Sequence, residues 1–436
     1  MTADNSTATA TTFSSNTSNT SNTSNTSEDR YVMISADCHA APKLDDVREY
    51  VDPEWRAEFD VWRQKKALRT DRRRIGEPLF DEAAQQEFRD SAGVDDGAMG
   101  GIWDSDRRLR ELHADGVVAE VIFPGGATTP DGEAGDLPFD VGIATYQYEQ
   151  DAALWQAGVR AYNRWLADFC AEAPGQRAGV GLITVDDVDL AVREVRWLRE
   201  HGVFGGILLP GGAVGIGNLP PAYHDPRYEP LWAVCADLGM PVHTHSGWTP
   251  DFEGHPGSTG IYLSEIIYWA HRPFWFMIWS GAFERYPALR LVMTEQKAEW
   301  LLDTLALMDS RYELPMFAQL RRSLPMKPSE YYARQCYVGA SYMDEGEWEA
   351  RHALGVGRLV WGSDYPHLEG SWPNTVDHLG KAFAEVPRDE VAQMIGLTAA
   401  DVYGFRLDSL KALAAEYGPT LDQIGCARGI RTTGGP

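Results

Sequence analysis

The sequence is poor in basic residues for its length of 436 residues. Its 39 Lys and Arg stand against 64 Asp and Glu, which gives a formal net charge of −25. Proteins that bind nucleic acid rely on clustered basic side chains to neutralise phosphates. The one basic run, at residues 69–74, lies among acidic residues and is interpreted as a solvated surface. The composition therefore argues against nucleic acid as a partner.

Paired cysteines and long apolar runs are also missing. The five cysteines are widely spaced and form no CxxC pair, which favours reduced thiols in a cytoplasmic protein. The apolar stretch at 268–283, "YWAHRPFWFMIWSGAF", is interrupted by His271, Arg272 and Pro273. It lacks the roughly 18 uninterrupted apolar residues of a membrane helix. No signal peptide is visible at the N-terminus. We therefore expect a cytoplasmic protein with no membrane partner.

Composition divides the chain into three parts. Residues 1–30 contain "SNTSNTSNTSNTS", a low-complexity tract with almost nothing to bury, and are predicted to be a disordered tail. Residues 31–405 are predicted to form one large domain, and 406–436 a C-terminal extension. The segment 44–110 is interpreted as an insertion that forms a lid or a dimer surface.

Short β-rich runs alternate with amphipathic helical segments throughout the domain. The predicted strands are 31–37, 117–123, 178–183, 204–209, 241–245, 289–295, 335–340 and 359–364, and helices are predicted at 157–174 and 188–202. Eight repeats of strand and helix are typical of a (β/α)₈ barrel, with the insertion between strands 1 and 2. In such barrels, functional groups gather where the strands end.

Polar side chains stand at four of these strand ends. Residues two apart in a strand point to the same side, so Asp37 and His39 can converge, as can His243 and His245. The sixth strand ends in Glu295 and the eighth in Asp364. Imidazole and carboxylate groups at one barrel mouth predict a divalent metal site.

Six segments in order carry a family resemblance: "SADCHA", "ADGVVAEVIFP", "YNRWLADFCAEAPGQRAG", "HDPRYEPLWAVCADLGMPVHTHSG", "FERYPALRLVMTE" and "VWGSDYPHLEGSWP". From Tyr31 to about Phe405 the chain resembles the metal-dependent hydrolases of the amidohydrolase superfamily. The branch it is similar to includes aminocarboxymuconate-semialdehyde decarboxylase and aromatic-acid decarboxylases. The resemblance implies a homodimer that holds one divalent ion, with zinc expected first and manganese or iron as alternatives. The implied ligands are Asp37, His39, His245 and Asp364.

The reaction class depends on one departure from that branch. Its decarboxylases end the sixth strand in a catalytic histidine, where this chain has Glu295. Because a glutamate cannot supply an imidazolium, we expect a hydrolase that uses metal-activated water, with Asp364 as general base. The alternatives are a non-oxidative decarboxylase of an aromatic or enoic acid, and a catalytically silent barrel that binds a small molecule.

Other residues are candidates for contact with the substrate. Glu295 and His367 are candidate catalytic groups. His243 is a candidate for substrate binding or for a hydrogen bond that supports a metal ligand. Trp248, Arg272 and Trp372 would line a pocket for a small cyclic or aromatic metabolite, with Arg272 pairing with a carboxylate.

Overall fold

The computed structural model describes residues 30–70, 99–128, 134–142, 151–211, 215, 220–250, 255–341, 343, 345–367 and 370–426. Except for Arg30, the predicted tail at 1–30 lies outside the described residues. Residues 71–74 of the basic run also lie outside them. Within the described part of the chain, no helix is long and apolar enough to cross a membrane.

Eight parallel strands form one sheet in barrel order. They are β1 (Ile34–Ala40), β2 (Ala119–Pro124), β3 (Arg177–Leu182), β4 (Gly206–Leu208), β5 (Val242–His245), β6 (Leu291–Thr294), β7 (Cys336–Ser341) and β8 (Leu359–Trp361). Each strand pairs with the next along the chain, as His245 does with Thr294 across β5 and β6. This arrangement confirms the predicted (β/α)₈ barrel.

The barrel closes just beyond the end of β8. The backbone N–H of Asp364 donates to the carbonyl of Asp37 at 2.9 Å, and the N–H of His39 donates to the carbonyl of Tyr365 at 2.7 Å. The predicted eighth strand is therefore too long. It ends at Trp361, and Asp364 has a left-handed backbone with a φ of 57°.

Helices surround the sheet. They are α1 (Arg56–Thr70), α2 (Ser105–Ala114), α3 (Ala152–Ala171), α4 (Val188–Glu200), α5 (Glu229–Leu238), α6 (Ser258–Glu265), α7 (Arg272–Trp279), α8 (Ala282–Arg285), α9 (Trp300–Glu313), α10 (Leu320–Ser323), α11 (Pro328–Gln335), α12 (Glu345–Glu349), α13 (Arg351–Leu354), α14 (Thr375–Ala382), α15 (Arg388–Ala392), α16 (Thr398–Tyr403) and α17 (Leu407–Tyr417). The two predicted helices correspond to α3 and α4. Asp187 caps α4 by accepting from the N–H groups of Asp189 and Leu190.

A buried ion cluster lies between α2 and the barrel. Arg108 donates to Glu120 of β2 from Nε and Nη2, and Arg177 of β3 donates to the same carboxylate at 3.2 Å. All three residues are almost fully buried. Burial raises the pKa of Glu120, but the two guanidinium groups outweigh it and hold that pKa below its usual value.

The segment after Phe405 packs against the start of the barrel. Leu410 and Ala414 of α17 are buried. Tyr31 donates its N–H to the carbonyl of Pro419 and its hydroxyl to the carbonyl of Ile424, both at 2.9 Å. These contacts attach the described part of the C-terminal segment, up to residue 426, to Tyr31 just before β1.

Candidate functional site

Strand β1 brings two buried polar side chains to the barrel mouth. All seven of its residues are buried. Nδ1 of His39 lies 3.3 Å from the carbonyl oxygen of Pro124 and donates to it, which leaves Nε2 as the free ring nitrogen of the neutral imidazole. Nε2 lies 3.1 Å from Oδ1 of Asp364 and 3.6 Å from Oδ1 of Asp37. The free nitrogen of His39 therefore faces two carboxylates.

Strand β5 adds His245 to the same point. Its Nδ1 donates to the carbonyl of Ser246 at 2.9 Å, and its Nε2 lies 3.3 Å from Oδ1 of Asp37. Burial lowers the pKa of His245, but Asp37 and Glu295 outweigh it and raise that pKa to about 9. The same negative charge that favours a proton on Nε2 also favours a bound cation.

The loop after β8 contributes an acid–base pair, Asp364 and His367. Nδ1 of His367 lies 2.9 Å from Oδ1 of Asp364. The His367 ring stacks on His39 at 4.0 Å between centroids. Burial raises the pKa of Asp364, but His367 and His39 outweigh it and hold that pKa below its usual value.

These side chains fit a divalent cation. Asp37, His39 and His245 each offer one ligand atom, and His39, Asp364 and His367 form a second such group; within each group the atoms lie within 4.8 Å of one another. Oδ2 of Asp37 and Oδ2 of Asp364 are buried without a hydrogen-bond partner among the described residues. Burying unpaired carboxylates is costly unless a cation compensates them. The triad of Asp37, His39 and His245 is therefore a divalent metal site.

Glu295 approaches this site from the end of β6. Its φ of 54° turns the chain sharply after Thr294. One carboxylate oxygen, Oε2, lies 3.3 Å from Nδ1 of His245 and accepts a hydrogen bond from the hydroxyl of Ser246. Burial raises the pKa of Glu295 to about 7. Glu295 thus contacts Nδ1 of His245, whereas Asp37 lies at Nε2 of the same ring.

His243 lies two residues before His245 and is engaged by the protein itself. Its Nε2 donates to the carbonyl of Gly205 at 3.0 Å, and its Nδ1 lies 3.3 Å from the Thr294 hydroxyl. Burial lowers its pKa to about 3, so the ring is neutral. Both ring nitrogens have partners within the barrel interior.

The other three candidate substrate-binding residues, Trp248, Arg272 and Trp372, lie in aromatic surroundings. Trp248 meets Trp269 edge to face at 5.1 Å. The Arg272 guanidinium lies 5.4 Å from the Trp269 ring centroid and 5.2 Å from that of Phe276. Trp372 is buried and packs edge to face against Tyr365.

Two residues at the site were not identified from the sequence. Phe123, at the end of β2, packs against His245 at 4.8 Å and His243 at 5.1 Å. Arg108 donates to the carbonyl of His39 at 2.8 Å and so helps to hold the backbone of this residue in place. In the sequence, Glu120 is an acid within an apolar strand. A buried carboxylate needs a cation nearby, so Glu120 is the signal from which a buried arginine could have been predicted.

Comparison with known proteins agrees with this geometry. Residues 36–405 match the family described as Amidohydrolase. The chain belongs to the amidohydrolase family. The resemblance found in the sequence is thereby confirmed, and the protein is an enzyme of that superfamily.

Two curated proteins have sequences similar to that of the chain. It is 28% identical over 267 residues to gamma-resorcylate decarboxylase of Rhodococcus jostii (strain RHA1), which covers 57% of this chain and 76% of the relative. It is 26% identical over 223 residues to gamma-resorcylate decarboxylase of a Polaromonas species (strain JS666), which covers 48% of this chain and 65% of the relative.

A solved structure has the same fold. It is the 5-carboxyvanillate decarboxylase of Novosphingobium aromaticivorans, complexed with manganese and 4-hydroxy-3-methoxy-5-nitrobenzoic acid. It aligns with a TM-score of 0.58 and 16% identity, covering 86% of this chain and 96% of that one.

These relatives correct the expected reaction class. Both curated relatives are decarboxylases. The expectation of a metal-dependent hydrolase was therefore wrong, and the alternative reading as a decarboxylase is the better supported one. The error came from Glu295: its carboxylate supports His245 from behind, so its identity does not by itself decide the reaction class.

Proposed function

We propose that the protein is a metal-dependent, non-oxidative decarboxylase of a small aromatic carboxylic acid. The observation that carries this proposal is the match to two curated gamma-resorcylate decarboxylases, one of them over 267 residues. The buried cluster of carboxylates and imidazoles at the barrel mouth supports it, because it provides both a cation site and an acid–base pair.

Asp37, His39 and His245 would hold the ion, with Asp364 beside it. A divalent ion bound there would supply positive charge that attracts and orients the substrate's carboxylate and a neighbouring oxygen. Manganese is the first ion to test, because the 5-carboxyvanillate decarboxylase structure contains it. Zinc and iron are compatible with the same ligands.

Asp364 and His367 would handle the proton. Loss of carbon dioxide requires a proton on the ring carbon that carries the carboxylate. The carbon–carbon bond then breaks, its electron pair returns to the ring, and no oxidant is needed. The Asp364 carboxylate is buried in contact with His367, whose side chain is 27% exposed and can exchange protons with solvent. The pair can therefore deliver one proton per turnover.

Glu295 and Ser246 would position His245. The Ser246 carbonyl accepts from Nδ1 of His245, and Glu295 lies against the same nitrogen. A proton held on Nδ1 leaves Nε2 free as a ligand. In this role Glu295 acts through His245 and does not contact the substrate's reacting carbon.

The test is release of carbon dioxide from defined acids. Purified protein is stripped of metal, reloaded with manganese, zinc or iron, and incubated with 2,6-dihydroxybenzoate or 5-carboxyvanillate. Carbon dioxide is measured with a coupled assay and the decarboxylated phenol by chromatography. We expect equimolar products from at least one acid, loss of activity on chelation, and recovery with one divalent ion. Metal-loaded protein that converts neither these acids nor a wider panel of hydroxybenzoates would contradict the proposal.

A further inference from the structure

A large cavity lies at the end of the barrel opposite to the metal site. Its volume is about 870 Å³. Its lining includes Phe204, Arg290, Gln335 and Arg358, which stand just before β4, β6, β7 and β8. It is therefore formed where the strands begin, whereas the metal ligands stand at or beyond the strand ends. The cavity is within the size range of sites for small molecules.

The lining of this basal cavity is strongly basic. Five arginines and one acidic residue line it: Arg199, Arg290, Arg334, Arg358, Arg406 and Asp401. The chain as a whole carries a net charge of −25, so such a cluster contrasts with the rest of the molecule. Unpaired positive charges close together are unfavourable unless an anion or solvent compensates them.

Two of the five arginines, Arg290 and Arg334, donate hydrogen bonds to other residues of the protein. Arg290 donates to the carbonyls of Asp401 and Val402, at 2.8 and 3.1 Å. Arg334 donates to the carbonyl of Phe283 at 2.7 Å and to the side chain of Gln335. These contacts hold the loops around the cavity in place.

The other three arginines are available. The described part of the chain contains no carboxylate paired with Arg199, Arg358 or Arg406. The Arg358 guanidinium lies 4.8 Å from the centroid of the Tyr337 ring, which orients it without using its N–H groups as donors to a carboxylate. Planar guanidinium groups match the oxygen atoms of phosphates and carboxylates.

Aromatic side chains complete the lining. Phe204 and Phe405 meet edge to face at 5.9 Å between centroids. Tyr337 and the rest of Tyr403 apart from its buried hydroxyl also belong to the lining. A ligand with an organic body and anionic groups would use both these aromatic surfaces and the guanidinium groups of Arg199, Arg358 and Arg406.

We propose that this basal cavity binds a small organic anion that carries phosphate or carboxylate groups, at a site separate from the metal centre. Arg199, Arg358 and Arg406 bind the anionic groups, and Phe204, Tyr337 and Phe405 contact the organic part. The site does not depend on which reaction the metal centre performs.

The test is calorimetric titration of the metal-loaded protein at low ionic strength. The probes are adenosine 5′-monophosphate, succinate and uncharged adenosine. We expect at least one anion to bind with a Kd below about 1 mM, no binding of adenosine, and weaker binding at higher salt. The preference between adenosine monophosphate and succinate identifies phosphate or carboxylate as the recognised group. Absence of binding by both anions would overturn the proposal.

Variants locate the binding. The double variant Arg199→Gln/Arg406→Gln changes two exposed side chains and should weaken binding at least about tenfold. The matched control Arg193→Gln/Arg196→Gln removes the same charge from exposed positions of α4 outside the lining and should bind as the parent does. Asp364→Asn should also bind as the parent does. Binding that survives the first double variant, or that is lost in Asp364→Asn, would place the anion elsewhere and refute the proposal.

Discussion

The backbone N–H of Asp364 donates a hydrogen bond of 2.9 Å to the carbonyl of Asp37, and this bond closes the barrel at the metal site. The next closing bond joins His39 to Tyr365. Asp37 and Asp364, whose backbones hold β1 against the segment after β8, also place their carboxylates on either side of Nε2 of His39, at 3.6 and 3.1 Å. Because the closing bonds use backbone atoms, the side chains of Asp37 and Asp364 can be changed without removing these bonds.

Replacement of Asp364 tests its role in moving the proton. Asp364→Asn keeps the backbone bond to Asp37 and the size of the side chain, but an amide cannot deliver a proton. We expect kcat for decarboxylation to fall by about 10²- to 10⁴-fold. Metal content, measured by elemental mass spectrometry, should stay near that of the parent protein. A variant that keeps more than a tenth of the activity would show that Asp364 does not carry the proton.

His245 tests the metal site itself. His245→Ala removes the ligand on β5 and leaves Asp37 with one imidazole neighbour fewer. We expect the bound divalent ion to fall well below one per chain after dialysis, with loss of about 10- to 100-fold or more in metal affinity. The matched control is His201→Ala, which removes an exposed histidine at the end of α4. Retention of the ion in His245→Ala, or equal loss in both variants, would contradict the assignment.

The barrel and the convergence of Asp37, His39, His245 and Asp364 follow from patterns that the sequence shows directly. Strand periodicity orients side chains two residues apart, and barrel topology brings strand ends together. The left-handed backbone at Asp364 and Glu295 could not be predicted, because non-glycine residues rarely adopt it and no local pattern marks it. The hydrogen bond from Arg108 to the carbonyl of His39 could not be predicted either. Arg107 and Arg110 lie on the same helix, and the sequence does not show which of the three arginines is buried.

The role of Glu295, on which the expected reaction class rested, depends on a contact that the sequence does not reveal. A glutamate at position 295 can serve as a proton carrier, a ligand or a support, depending on which atom it touches. In the structure its carboxylate meets Nδ1 of His245 and the Ser246 hydroxyl. The residue type alone suggested a hydrolase, whereas the relatives indicate decarboxylation.

Asp115 makes stability depend on pH. Burial raises its pKa from 3.8 to about 7, and Oδ2 has no hydrogen-bond partner among the described residues. Between these two values the folded protein holds a proton that the unfolded chain releases, so this residue's contribution to stability falls as pH rises toward 7 and is constant above it. Asp115→Asn keeps an acceptor for the N–H of Thr375 and has no charge to bury.

We therefore expect Asp115→Asn to change the free energy of unfolding little at pH 4 and to raise it by about 2 kcal/mol at pH 8. The upper limit of this gain, if the full shift of the pKa applies, is about 4 kcal/mol. Urea unfolding of metal-loaded protein at both pH values measures the difference. Asp377→Asn, at an exposed position of α14, is the control. An equal effect of Asp115→Asn at both pH values would show that Asp115 does not titrate as stated.

Glu120 tests the buried ion cluster behind His39. Glu120→Gln leaves Arg108 and Arg177 buried with a neutral partner where a carboxylate accepted from both. Removing one member of a buried ion pair costs about 3–5 kcal/mol, because the remaining charge is not compensated. We expect a loss of about 3 kcal/mol in the free energy of unfolding by urea, against less than about 0.5 kcal/mol for Glu200→Gln on the exposed face of α4. Because Arg108 also donates to the carbonyl of His39, metal affinity should fall as well. A variant as stable as the parent would mean that the two arginines are compensated by their carbonyl partners alone, and that His39 is held without the cluster.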